Sequence, residues 1–242
     1  MEPVPPFPIF GGLHLATLAA MALLGLATVA VPRCWPNRFP PRKVAVAFAV
    51  YMLAQECLDR GWHYFVEQDG ILSVLPLHLC GMSVFLTALL LLTRSYAIFE
   101  VLYFWGLAGA GMAILTPDVK FGCPHLLFIT FFVSHAQIII GVAYAAVHWG
   151  YRPTIRSLVK VILLTNLYML VVAPVDWALQ ANYLFLCEKP AGISLLDALG
   201  PWPWYILGME AAGIVIFGLC YLPWGVADAL RSHRTSSLQA AD

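Results

Sequence analysis

The chain reads as a series of apolar blocks separated by short polar stretches. A helix needs about 20 apolar residues to cross the hydrocarbon of a bilayer. Seven blocks meet that length: Ile9–Val31, Val44–Tyr64, Ile71–Leu92, Ile98–Thr116, Leu126–Val147, Leu158–Leu179 and Trp204–Trp224. The pattern predicts an all-α integral membrane protein, a seven-transmembrane helix bundle that forms a single membrane domain over residues 1–242. The second block is the weakest by hydropathy, because Glu56, Asp59, Arg60 and His63 interrupt it. The longest connection, Gln180–Gly200, is too short for a domain of its own, and no internal repeat or low-complexity tract stands out.

Lys and Arg in the connections set the expected orientation, since cytoplasmic loops carry the excess. Arg33, Arg38, Arg42, Lys43, Arg94, Arg152, Arg156, Lys160, Arg231 and Arg234 fall on one side, against Lys120 and Lys189 on the other. The first group is therefore expected in the cytoplasm, with the N-terminus outside and the C-terminus cytoplasmic. Trp202 and Trp204 suit an outer aromatic belt. The stretch before the first block has Glu2 and no Lys or Arg, so that block is expected to be a span rather than a secretory signal.

Composition sharpens the class. The 242 residues are 61% hydrophobic and 11% charged, with a mean hydropathy of +0.81; a soluble domain would carry roughly 25% charged residues. Net charge is zero and no large basic cluster occurs, so nucleic acid is not an expected partner. The six cysteines fit no metal-binding spacing, and no metal or cofactor is expected. Cys123 and Cys187 both fall in connections expected outside, where a disulfide between them is open.

Charged and titratable side chains within the blocks carry the candidate chemistry, because such groups in hydrocarbon are costly and usually face the bundle interior. Glu56 and Arg60 stand at i, i+4, an ion-pair spacing, and Asp59 and His63 repeat it. His78 and Cys80 follow in the third block, His135 in the fifth, Asp176 in the sixth and Glu210 in the seventh. Counted down their blocks from the outer edge, Cys80 and His135 are each expected roughly 13 Å deep in a ~30 Å core. A thiol and an imidazole at one depth on different helices can meet, and a polar cavity in the outer half of the bundle is expected. His78 is a poorer partner for Cys80, because residues two apart do not share a helix face unless Pro76 distorts the turn. Each residue also has a packing role to play: Cys as a small apolar group, His as an interhelical hydrogen-bonder, Glu56–Arg60 as a structural ion pair, Asp176 and Glu210 as partners for cations. His14 is expected at the outer edge of the first block.

Several stretches carry a family likeness: LPLHLC (Leu75–Cys80), YFWGLAGA (Tyr103–Ala110), LTPD (Leu115–Asp118), SHAQ (Ser134–Gln137), GYRPT (Gly150–Thr154), NYLFLCEKP (Asn182–Pro190) and LLDALGPWPWYI (Leu195–Ile206). In order and with short spacings, from the second block to the seventh, they resemble the YwaF-type bacterial integral membrane protein family, which is related to animal transmembrane protein 164. The animal relative moves fatty acyl chains onto ether lysophospholipids and needs a Cys and a His. The resemblance thus implies a membrane-embedded phospholipid acyltransferase or transacylase, with the Cys of HLC at Cys80 and the His of SH at His135. Cys80 would take the acyl group as a thioester, with His135 as base. His78, Glu56, Asp59, Arg60, His63, Asp176 and Glu210 are the candidate substrate-binding residues. Expected partners are membrane lipids, phospholipid and lysophospholipid, and the expected location is a bacterial cytoplasmic membrane. Since acyl-CoA is cytoplasmic and the cavity is expected in the outer half, a bilayer phospholipid fits better as acyl donor. Two other readings stay open: a lipid hydrolase using the same pair, and a transporter or small-ligand receptor built around the polar cavity. A retinal protein is disfavoured, because the seventh block has no Lys.

Overall fold

The computed structural model describes residues 7–68, 70–72, 74–117, 119, 122–189 and 198–239, with side chains to Arg231 in the last helix. Lys120 of the charge count, and Asp118, Pro190, Leu195, Leu196 and Asp197 of the quoted motifs, lie outside the described residues. Seven helices and a short 3-10 turn make up the described structure, and no strand occurs among the described residues. By internal contacts the chain falls into two compact units, Met1–Tyr151 and Arg152–Asp242.

The first unit contains α1 (Gly12–Cys34), α2 (Pro41–Phe65), α3 (Leu79–Thr93), α4 (Tyr96–Leu115) and α5 (Leu126–Trp149). Local chemistry sets the ends. Proline opens α2, where its missing N–H is not needed. Arg94 turns left-handed to end α3, and the Ser95 hydroxyl then accepts from Ile98 N to start α4. Gly150, at φ 68°, stops α5. Within α4, residues Gly106–Ala110 widen into a π turn.

α3 lies at the centre of this unit, packed against α2, α4 and α5, while α1 runs along α5. The α3–α5 approach depends on a missing side chain: a Cβ on Gly141 would stand 2.2 Å from Thr87 Cγ2. Small residues allow such close backbone approach between membrane helices, where packing rather than hydrophobic exclusion drives association. His14, in the first turn of α1, is fully buried. Phe10 N donates to its Nδ1 at 2.9 Å, so Nε2 carries the hydrogen and donates to Ile114 O at 2.8 Å, fastening α1 to the end of α4.

The second unit contains α6 (Ile155–Leu179), a 3-10 turn at Tyr183–Phe185 and α7 (Trp204–Gln239). A reciprocal Thr154–Ser157 capping box starts α6. Pro174 lies inside α6 rather than ending it.

The structure supports a helical membrane protein without reproducing seven long apolar helices. Among the described residues, five helices are long and apolar enough to cross a membrane: α1, α4, α5, α6 and α7. α2 is 25 residues long but carries Arg42, Lys43, Glu56, Asp59 and Arg60. The third expected span, Ile71–Leu92, is not one helix. Its described residues before His78 form turns, and α3 starts only at Leu79. Pro76 explains the break, since a proline disfavours helical conformation in the residue before it and cannot donate within a helix. The 15 residues of α3 reach only ~22 Å, short of a ~30 Å core. Irregular backbone in a membrane protein is tolerated where it lines a polar cavity, and the turns before α3 line one through Val74, Leu75 and Pro76.

Replacing Gly141 with Ala should lower stability by about 1–3 kcal/mol, the usual cost of overpacking. Adding Thr87→Ser, which removes the clashing methyl, should restore most of it. Gly61→Ala, whose new Cβ meets nothing within 4 Å, should be near neutral. Unfolding of the protein in detergent measures all three; a Gly141→Ala variant as stable as the parent would contradict the close α3–α5 approach.

Candidate active site

The polar residues of α2 lie on its C-terminal half and face the start of α3. Glu56 is buried, and its carboxylate accepts from Arg60 Nη2 at 2.5 Å. Arg60 Nη1 donates to the Val74 carbonyl in the turns before α3. The guanidinium also lies over the Phe85 ring, 5.7 Å from its centroid, and against Gly81, where a Cβ would stand 2.8 Å from Nη2. One cation thus joins α2, the irregular turns and the first turns of α3. The i, i+4 spacing of Glu56 and Arg60 is realised as an ion pair between a buried carboxylate and a partly exposed guanidinium.

Beyond the pair is a cavity of about 180 Å³, lined by Glu56, Asp59, Cys80, Ser134 and His135 among its polar residues, with Val84, Phe131 and Ile138 on its apolar wall. Cys80 reaches it from the first turn of α3, not from nine residues down a helix, and His135 from the third turn of α5. The π turn of α4 packs on the thiol: a Cβ on Gly109 would stand 3.7 Å from Cys80 Sγ. Such π turns recur at functional sites, and here the turn lets glycine backbone meet sulfur.

His135 has a defined tautomer. Its Nδ1 is 2.7 Å from the Phe131 carbonyl, one helical turn back. A carbonyl only accepts, so Nδ1 carries the hydrogen, and in the neutral ring Nε2 keeps its lone pair. The Phe131 ring lies beside the imidazole, 4.4 Å between centroids and tilted by 39°, and restrains its plane. A neutral imidazole with a free Nε2, in one cavity with a thiol, is an arrangement for general-base activation of sulfur.

Asp59 and Gly81 also line a second cavity of about 270 Å³, together with Arg60, His63, Val74, Leu75, Pro76 and His78. The turns before α3 therefore face a polar space. His78 is the extended residue that precedes α3 and is exposed. It is not on a helix with Cys80, and the two fall in different cavities.

The sequence candidates thus divide. Glu56, Asp59, Cys80 and His135 share the first cavity, and Arg60, His63 and His78 line the second with Asp59. Asp176 and Glu210 belong to the second unit and have local roles there: Asp176 Oδ1 accepts from Tyr183 N at 2.8 Å, and Glu210 accepts from Asn166 Nδ2 at 2.6 Å. Cys123 and Cys187 are not joined in a disulfide. No group of three or more metal-ligating side chains occurs among the described residues.

Sequence reasoning passes over a set of neutral polar residues. Ser134 Oγ donates to Gln55 Oε1 at 3.1 Å, and Gln137 Nε2 donates to the same oxygen at 3.3 Å. Ser134 and Gln137 flank His135 in SHAQ, but a search for charged and titratable groups within the blocks does not pick them out.

Comparison with known proteins gives two matches. The sequence profile of the TMEM164 family matches residues 9–221. A protein of Treponema pallidum (strain Nichols), described as uncharacterized, is 28% identical over 225 residues, covering 89% of each chain. No solved structure matches.

Truncating Arg60 to Ala would leave the buried Glu56 carboxylate without its counter-ion and the Val74 carbonyl without its donor. Loss of one partner from a buried pair costs about 3–5 kcal/mol, so the variant should unfold at a clearly lower temperature in detergent. Glu56→Gln combined with Arg60→Met should recover much of that loss. Equal stability of Arg60→Ala and the parent would contradict the joining role given to this side chain.

Proposed function

Because the chain belongs to the TMEM164 family, whose profile spans most of its length, we propose that it is a membrane-embedded phospholipid acyltransferase or transacylase working through Cys80 and His135. The observation that carries the reading is the shared cavity: the thiol and an imidazole with a free Nε2 line one space at the meeting of α2, α3 and α5.

The chemistry comes from those two groups. His135 Nε2 takes the thiol proton as the Cys80 sulfur attacks the carbonyl carbon of an acyl ester. A C–S bond forms, the ester C–O bond breaks, and the imidazolium returns the proton to the departing oxygen. The lysophospholipid leaves and the acyl group stays on sulfur as a thioester. In the second half, Nε2 takes the proton of an acceptor hydroxyl, whose oxygen attacks the thioester; the new ester leaves and the proton returns to sulfur. The Asp59 carboxylate in the same cavity offers negative charge opposite the transient imidazolium.

The cavity's size bears on the substrate. At about 180 Å³ it is smaller than the roughly 300–1,000 Å³ of pockets that enclose a small ligand whole. It suits the reacting ester, while the acyl chains stay in the surrounding bilayer. A donor already dissolved in the membrane, a phospholipid, fits that division better than a water-soluble thioester.

Purified protein in phospholipid vesicles with a labelled acyl chain, supplied with unlabelled lysophospholipid, should produce labelled phospholipid of the acceptor's head group. Cys80→Ala should lower the rate by about 1,000-fold or more, and His135→Ala by about 100-fold or more. Labelled free fatty acid as the sole product, lost in the same variants, would replace transfer with hydrolysis. Full activity in Cys80→Ala would sink the reading.

A further inference from the structure

The polar cluster beside His135 is more than packing. Ser134 lines the cavity with Cys80 and His135, and its hydroxyl hydrogen points away, to Gln55 Oε1 at 3.1 Å. Gln137 Nε2 donates to that same oxygen at 3.3 Å. One oxygen therefore takes two donors, while two buried atoms of the same cluster, Gln55 Nε2 and Gln137 Oε1, have no hydrogen-bond partner. Gln137 is 3% exposed, so the omission occurs in a buried site, where an unmade hydrogen bond is costly.

A second arrangement of the same atoms makes as many bonds inside the cluster. With both amides turned over, the Gln55 amino group donates one hydrogen to Ser134 Oγ and the other to the Gln137 oxygen. Ser134 then accepts instead of donating, and its own hydrogen is released toward the cavity. Amide carbon-to-nitrogen and carbon-to-oxygen directions nearly superpose, so the exchange needs no movement of the helices.

We propose that Ser134 is the oxyanion donor of this site and that Gln55 is the positioning residue that aims it. The inference rests on the thioester reading above. When the Cys80 sulfur adds to the ester carbonyl, the carbonyl oxygen becomes an alkoxide for the life of the tetrahedral intermediate. A hydroxyl on the cavity wall, held by an amide behind it, donates to that oxygen. When the C–O bond breaks and the thioester carbonyl forms, the charge vanishes; Ser134 keeps its proton throughout. Val84, Phe131 and Ile138 keep part of the wall apolar, and such a donor matters most where the dielectric is low. The two amide orientations also suit the cycle: the hydroxyl is satisfied inside the cluster when no ester is bound, and available when one is.

Two reactions of the same thiol separate this role from a structural one. Acylation by p-nitrophenyl octanoate passes through an oxyanion; alkylation by iodoacetamide displaces iodide at carbon and forms none on a carbonyl oxygen. Both are followed at Cys80 on the full chain in detergent–lipid micelles. Ser134→Ala should slow acylation by about 100-fold with alkylation unchanged. Ser134→Thr, which keeps a hydroxyl, should retain most of the acylation rate. Gln55→Glu, whose carboxylate only accepts and so keeps the Ser134 hydrogen turned inward, should behave like Ser134→Ala. Parallel loss of acylation and alkylation in Ser134→Ala and Gln55→Glu would show a structural role and overturn the inference, as would acylation at the parent rate in Ser134→Ala. A parent protein that is alkylated but never acylated would instead overturn the thioester reading, and the oxyanion role with it.

Discussion

Backbone that leaves the helix inside a bundle must find hydrogen-bond partners, and in this protein the turns before α3 find one in Arg60. The guanidinium takes the Val74 carbonyl, neutralises Glu56 and packs into the space that Gly81 leaves open. Each of these contacts alone would be a poor reason to bury a cation, since desolvation offsets much of what a pair returns. Together they let a proline-containing connection stop short of a helix without stranding its polar groups. That junction also places the next residues of the chain, His78 as the extended entry to α3 and Cys80 in its first turn.

The location of the thiol depends on the same constraint. Had residues from Ile71 onward formed a continuous helix, Cys80 would sit within its third turn with the i−4 backbone ladder around it. As it is, sulfur stands at a helix start, beside the glycine backbone of the α4 π turn and opposite α5. On α5, the Phe131 carbonyl settles the tautomer of His135 and leaves Nε2 to accept a proton. The carboxylates of α2 complete a cavity lined by both polar and apolar side chains. That mixed lining suits the proposed ester: a polar reacting group attached to chains that remain in lipid.

Much of this is legible in the sequence, and the parts that are not have physical causes. Block length and composition put helices at nearly the right places for α1, α2, α4, α5, α6 and the start of α7, because a long apolar run in this context has few alternatives. The Glu56–Arg60 spacing identifies the ion pair directly. Counting depth along helices pairs Cys80 with His135. The structure does bring both to one cavity, yet the depth of Cys80 cannot be counted that way, since eight residues of the supposed helix precede α3. Pro76 is the available signal for that break. The partners of Asp176 and Glu210, Tyr183 N and Asn166, lie in a turn and on a helix face that spacing does not bring together. The Gln55–Ser134–Gln137 cluster is illegible for another reason: neutral polar residues carry no large membrane penalty and stand out only once their hydrogen bonds are seen.

The central claim is that Cys80 carries the acyl group. Its most direct measurement is the mass of the intact protein after brief incubation with phospholipid of a single acyl composition, quenched in acid, with peptide mapping of the product. The account predicts a fraction of molecules heavier by one acyl group, with the added mass on the peptide containing Cys80 and removed by neutral hydroxylamine, as a thioester requires. An added mass that resists hydroxylamine or maps elsewhere, or no added mass from a preparation that turns over phospholipid, would contradict it.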